Sequence, residues 1–418
     1  MGTFRGLSLK WAAFAVLVLG ATAVGVGPAI AQGGSGSLQQ PSQDPAPMMG
    51  TPFVGSELRL ARTGTGGVIY CPDENQDPRF VMEWLSNGVP LPAERQGEVL
   101  KLLPEDRGNR ISFNVQTCGS DIKHHSLETP PIAASNRANG WTGRANFELL
   151  GRNADGDLVL YPRTYEPEWV RSGEFDRGIQ ITGSWDEPRV VGTGWNIFDI
   201  VFSPGDFDGD GYNDVLGRDS AGHLMLYPGD GDGGWQPPHQ VGTGWNIFDS
   251  IVGPGDFNGD GNNDVLARDR SGNLFLYPGD GHGGWLKPSQ VGSGWQIFDK
   301  IITPGETTGK GTVSIFGRDR SGYLYQYPAD GQGGWKAPGV VGQGWYVMTE
   351  ISGAGAYGKA SSNGMAERSN LIAYGHDGDL ILYFNYDLSQ DPVYAAAPYG
   401  LDNLGPIGNG WDIFKNLI

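Results

Sequence analysis

The stretch "VGTGWNIFD" begins at Val191 and recurs, letter for letter, at Val241; "VGSGWQIFD" begins at Val291 and "VGQGWYVMT" at Val341. Tryptophans 195, 245, 295 and 345 therefore stand 50 residues apart, and a second tryptophan precedes each by ten, at 185, 235, 285 and 335. A fixed period of this length calls for repeated copies of one supersecondary unit. A second theme runs between the tryptophans: "DVLGRDSAGHLMLYP", "DVLARDRSGNLFLYP" and "SIFGRDRSGYLYQYP", with looser copies "ELLGRNADGDLVLYP" from Glu148 and "LIAYGHDGDLILYF" from Leu371. Each copy reads as four short strands. In the second unit these fall near 197–202, 215–218 and 223–227, with the last beginning at Trp235. Four strands in 50 residues make one blade of a β-propeller.

The "GW.IF" element occurs five times, at Trp195, Trp245, Trp295, Trp345 and Trp411, and so does the hairpin. The first hairpin, at 147–162, has no such element before it, whereas the chain ends with a spare one, "GNGWDIFKNLI". If that last strand completes the first blade, the ring closes on five blades and hides an open sheet edge.

Composition agrees with many short strands. Gly (69) and Pro (28) punctuate the chain, while 17 Phe, 16 Tyr and 13 Trp supply a packed core. The formal charge is -18, and removal of Arg5 and Lys10 with a leader takes it to -20. A chain this acidic is repelled by phosphate backbones, which argues against nucleic acid, and it attracts cations. Residues 1–31 read as a signal peptide: a basic end, an apolar stretch from Trp11 to Val26, and Ala29-Ile30-Ala31 as cleavage pattern. The apolar run is short for a membrane span, so none is expected after cleavage. Residues 32–50 are polar and rich in Gly, Ser and Pro, a flexible tether.

Residues 51–121 form a separate segment. Phe80, Met82 and Trp84 alternate with other residues, as do Ile111, Phe113 and Val115, the pattern of half-buried strands. Cys71 and Cys118 are the only cysteines, and in an exported chain an even pair reads as one disulfide. With Trp84 between them they match the core signature of an immunoglobulin-like sandwich. The segment resembles bacterial immunoglobulin-like modules through "WLSNG" and "DRG". A linker, 122–140, precedes the propeller region, 141–418.

"GDFDGDGYNDVL" places Asp206, Asp208 and Asp210 at alternate positions 1, 3 and 5, with the Tyr212 carbonyl at 7 and Asp214 at 9. The next copy repeats the set as Asp256, Asn258, Asp260, the Asn262 carbonyl and Asp264. Hard oxygen donors in a glycine-rich loop suit calcium. An EF-hand is excluded because Gly217 stands where that motif needs Glu, and strands rather than helices flank the loop. Blade four has Glu306, Thr308, Lys310 and Ser314, blade five "GAGAYGKASSNGMAERSN", and blade one no such loop. Two calcium ions at most are expected, in a structural role. The bland reading is a solvated turn rich in Asp and Gly.

This motif within a 50-residue period resembles the FG-GAP or VCBS repeat family of secreted and surface propellers over 141–418. That family implies calcium in these loops. The five-fold count is similar to tachylectin-like sugar-binding propellers. Other features carry less. The twin tryptophans are expected to pack between blades rather than to stack on sugar. His124-His125 with Asp121 reads as a solvated linker rather than a metal site, "RTGTGGVIY" at 62–70 has no helix after it to cradle phosphate, and no G-x-S-x-G elbow occurs. Histidines 223, 239, 282 and 376 sit at different places in their blades.

The expected protein is all-β: a small immunoglobulin-like β-sandwich followed by a five-bladed β-propeller. It is expected to be a monomeric, secreted or cell-surface binding and adhesion module for a glycan or protein ligand, and not an enzyme. The alternatives are a secreted hydrolase acting on cell-wall polymer, for which no nucleophile or carboxylate pair is found, and a non-binding structural spacer.

Overall fold

The strand Phe198–Gly205 begins straight after a single turn of 3-10 helix, Trp195–Ile197. Gly194 enters that turn at φ 77°, a left-handed conformation that only glycine adopts without strain. The same turn stands before the inner strand at Trp245, Trp295, Trp345 and Trp411. In this computed structural model the described residues are 48–49, 52–60, 81–116, 123–135, 140–142, 148–162, 166–169, 179–182, 185–307, 312–355, 369–387 and 399–418.

Blade two is the antiparallel sheet Phe198–Gly205, Asp214–Asp219, Leu224–Tyr227, His239–Gly242, in that spatial order. Blades three and four repeat it from Phe248–Gly255 to Ser289–Gly292 and from Phe298–Glu306 to Gly339–Gly342. Blade five runs from Met348–Gly355 to Tyr399–Gly408. Blade one is assembled from both ends of the region: Arg189–Gly192, Leu158–Tyr161, Leu149–Asn153 and, on the inside, Phe414–Leu417. The spare C-terminal element thus completes the first blade, with Phe414 opposite Asn153 and Leu417 opposite Gly151.

The outer strand starts four residues later than the sequence reading placed it. Trp235 makes only an isolated bridge with Gly229, and the strand opens at His239. The cause is Pro238, whose counterparts Pro188, Pro288 and Pro338 each stand just before an outer strand. Proline has no N–H to give a ladder.

The cores lie between blades. Phe202, Leu216 and Leu226 of blade two pack with Trp245, Phe248 and Val265 of blade three. Blade five meets blade one the same way, through Ile372, Leu380 and Leu382 against Leu149, Trp411 and Phe414. The tryptophans of the "GW" turns are 4–6% exposed. The tryptophans ten residues before them are half-buried, and their indole N–H groups donate to the outer strand of the preceding blade: Trp235 to Val191 O, Trp285 to Val241 O and Trp335 to Val291 O, at 2.7–2.9 Å. Both sets pack between blades, as expected. Trp285→Phe keeps most of the buried area but removes one hydrogen bond, so a loss of about 1 kcal/mol in unfolding free energy is expected. Urea titration measures it, and no change would make that bond energetically idle.

A second tie repeats. Arg218 pairs with Asp199 of its own blade at 2.7 Å and donates from Nη1 to the Trp245 and Phe248 carbonyls of the next. Arg268 and Arg318 do likewise. In blade one Arg152 donates to Asn416 Oδ1 on the closing strand and to the Trp195 and Phe198 carbonyls. Blade five substitutes Tyr374, whose hydroxyl donates to Phe414 O.

The N-terminal segment is two small antiparallel sheets. One has the order Val89–Pro90, Val81–Ser86, Ile111–Gln116, Lys123–His125; the other has Met48–Met49, Glu57–Leu60, Val99–Lys101. Trp84, Ile111, Phe113 and Val115 are fully buried in its core, as their alternation implies. The segment read as a linker corrects in part: Lys123–His125 is an edge strand and Ile132 joins this core. His125 is exposed and its ring meets Asn114. Cys71, Cys118, Asp121, Thr308 and Lys310 lie outside the described residues. Residues 43–418 form one compact unit.

Candidate metal centre

Loop 206–214 joins the two inner strands of blade two at the end opposite the "GW" turn. Its shape follows from carboxylates accepting the loop's own amides. Asp206 takes Gly209 N–H on Oδ1 at 2.7 Å and Gly211 N–H on Oδ2 at 3.1 Å. Asp208 takes the Asp210 amide, and Asp210 takes the Tyr212 amide at 2.9 Å. Gly209 and Gly211 have φ of 84° and 96°. A methyl group on Gly209 would sit 2.4 Å from the Gly281 carbonyl of blade three, so a side chain there is excluded on both counts.

These bonds gather three carboxylates. One oxygen each from Asp206, Asp208 and Asp210 lies within 4.8 Å of the others. Asp214 is not one of that trio and clasps the loop. Its Oδ2 accepts Phe207 N–H at 2.8 Å and Asp208 N–H at 3.3 Å, and its Oδ1 accepts Gly229 N–H at 2.9 Å.

Loop 256–264 is wired the same way. Asp256 accepts Gly259 and Gly261 amides, Asn258 the Asp260 amide, Asp260 the Asn262 amide, and Asp264 the Phe257, Asn258 and Gly279 amides. Asn258 also donates to Asp260 Oδ2 at 3.0 Å, so one charge fewer needs cancelling here. The donors are carboxylate and amide oxygens without thiolate or imidazole, a set that fits calcium.

The clasp persists where the acids do not. In blade one Glu148 accepts the Trp141 and Thr142 amides. In blade four Thr307 and Ser314 hold each other at 2.7 Å.

Burial has an electrostatic consequence. The Asp206 carboxyl is pushed up to about 7, first by burial and then by Asp210 and Asp208, against the opposing pull of the Gly209 and Gly211 amides. Burial likewise raises Asp264 to about 8 and Asp214 well above its ordinary range. Asp210 and Asp256 move up for the same first reason. The metal-free folded chain therefore holds more protons than the unfolded chain from about pH 4 to pH 8, so its stability falls as pH rises through that window. Melting in a chelator at pH 5 and pH 8 checks this: a lower melting temperature at pH 8 is expected, and a higher one would refute the burial of these charges. A cation held by these carboxylates would have to displace those protons, so its affinity would rise with pH over the same range.

Several supporting residues escaped the sequence reading. Phe207 and Phe257 are buried and pack at a steep angle against Trp285 and Trp335 of the next blade, with centroids 4.7 and 4.8 Å apart. The Asn213 and Asn263 side chains donate to carbonyls of residues 140, 135 and 206. All four recur at the 50-residue spacing, which marks them as positions of consequence without naming their partners.

Residues 206–267 match the FG-GAP-like repeat. The match spans both acidic loops and the hairpin between them. Among curated proteins, no sequence match is found. One similar solved structure is the BP39L lectin from Burkholderia pseudomallei, at 14% identity and TM-score 0.34, covering 81% of this chain and 95% of that one. Likeness at this level transfers no ligand. Among the described residues no helix is long and apolar enough to cross a membrane.

Proposed function

We propose that the chain is a secreted or surface-attached binding module, in which calcium at Asp206, Asp208 and Asp210, and at Asp256, Asn258 and Asp260, staples a propeller that recognises a glycan or protein outside the cell. In this reading the Tyr212 and Asn262 carbonyls complete the shells, Asp214 and Asp264 close them, and the small domain is immunoglobulin-like with a Cys71–Cys118 disulfide.

The observation that carries the binding role lies at the other end of the blades. Ile197, Ile247, Ile297, Val347 and Ile413 occupy one equivalent position in every blade and are 50–66% exposed. A strand of eight residues, about 25 Å, separates them from the acidic loops. Large apolar side chains exposed once are ordinary, but the same exposure at all five turns supports a recognition surface. Turnover would need a nucleophile or general base at the site, whereas the gathered carboxylates are held by loop amides. Incubating the purified full chain with glycan arrays and cell-wall fractions tests the reading. Saturable binding that Ile247→Ser and Ile297→Ser weaken at least fivefold is expected; release of soluble product would sink it.

A further inference from the structure

The acidic loops are gripped from behind by the N-terminal part of the chain. Asp206 N–H donates to Ser135 O at 2.9 Å. Asn263, from the other loop, donates to the same Ser135 O at 2.7 Å and to Asp206 O at 2.9 Å. Asn213 donates to Gly140 O at 2.7 Å and accepts from the Ser135 hydroxyl at 3.2 Å. Ser135, Asn213 and Asn263 are at most 4% exposed.

Ser135 is anchored in turn. Two residues before it, Ala133 bridges to Phe53, and Ile132 lies in the small domain's core. That domain also touches the loops directly. A methyl group on Gly211 would lie 3.3 Å from both Pro104 and Val54, and the Arg107 guanidinium lies 3.7 Å from the equivalent point on Gly261. The backbone that holds Asp206, Asp208 and Asp210 in register is therefore the same backbone on which the small domain sits.

We propose that cation binding at the Asp206 loop regulates the docking of the N-terminal domain on the propeller, so that the ion fastens a joint between domains as well as a blade. The proposal rests on the calcium reading above. Three carboxylates within 4.8 Å repel one another when no cation lies between them, and that repulsion opposes the closed loop. Opening the loop displaces Asp206 N–H and O, and with them the bonds to Ser135 and Asn263. Coupling between two such sites is reciprocal: calcium tightens the joint by the factor by which the joint tightens calcium. The segment read from sequence as a linker, 122–140, becomes the coupling element.

Two measurements on the full chain test this. Titration calorimetry on metal-stripped protein establishes whether calcium binds. Hydrogen exchange with and without calcium then follows segments 52–56, 102–108 and 129–135. Binding that slows exchange there about tenfold, alongside the loops, is the expected result. Binding with protection confined to 205–216 and 255–266 overturns the coupling and leaves the calcium sites standing. No binding at millimolar calcium overturns the calcium reading itself, and the coupling with it. As an independent arm, Asn213→Ala with Asn263→Ala leaves every carboxylate in place and is expected to weaken calcium at least fivefold; unchanged affinity overturns the coupling. Should that variant fail to fold, the exchange result on the unaltered chain decides.

Discussion

Deleting residues 410–418 is expected to unfold the propeller rather than to shorten one blade. The segment carries Trp411, Phe414, Leu417 and Ile418, each 3–6% exposed. Burying one large apolar side chain contributes roughly 1.5–3 kcal/mol, so four together contribute on the order of 8 kcal/mol. That rivals the whole stability of an ordinary domain, about 5–15 kcal/mol. The deletion also strips the Leu149–Asn153 strand of its inner neighbour and leaves Arg152 without Asn416. An exposed strand edge beside a lost core invites aggregation. Light scattering and thermal melting decide the matter: a truncated chain that stays dispersed and melts at the original temperature would refute closure by the C-terminal strand.

Calcium is expected to raise the melting temperature by about 10 °C. A ligand that binds only the folded state stabilises by about 2.7 kcal/mol at a hundred times its dissociation constant, so two sites give roughly 5 kcal/mol. For a domain of this size each kcal/mol moves the midpoint by about 2 °C or somewhat less. Asp208→Ala with Asp210→Ala should remove one of two bound ions, and Asn258→Ala with Asp260→Ala the other. The first pair should matter more at pH 8 than at pH 5, because the Asp206 carboxyl, pushed up to about 7, is charged only at the higher pH. If neither pair alters calcium stoichiometry, the carboxylates are ordinary turn residues. A calcium sensor would instead change shape, which sheets packed core to core around a ring resist.

Much of this was legible because it is local. A 50-residue recurrence puts the same side chains at the same steps of the same turns, and like sequence folds alike. The hairpins, the glycines of the loop and the register of Asp206 against Asp256 follow from that. Strand ends were less legible. The sequence alone starts the outer strand at Trp235, whereas the proline at 238 delays it to His239. The repeated Asp and Arg of "IFD" and "GRD" were visible but unexplained, since the Arg218–Asp199 pair forms within a blade and its other bonds reach the next.

By itself the sequence determined the β class, the period, the candidate oxygen ligands and their spacing, because each depends on neighbours a few residues away. Only the tertiary structure decided which distant groups meet. Asn213 finds Gly140, Asn263 finds Ser135 and Arg152 finds Asn416, across separations of 73, 128 and 264 residues. No periodicity encodes such pairs; they arise when sheets stack and expel water from their faces, and each buried polar group must then take whichever partner the packing brings within reach.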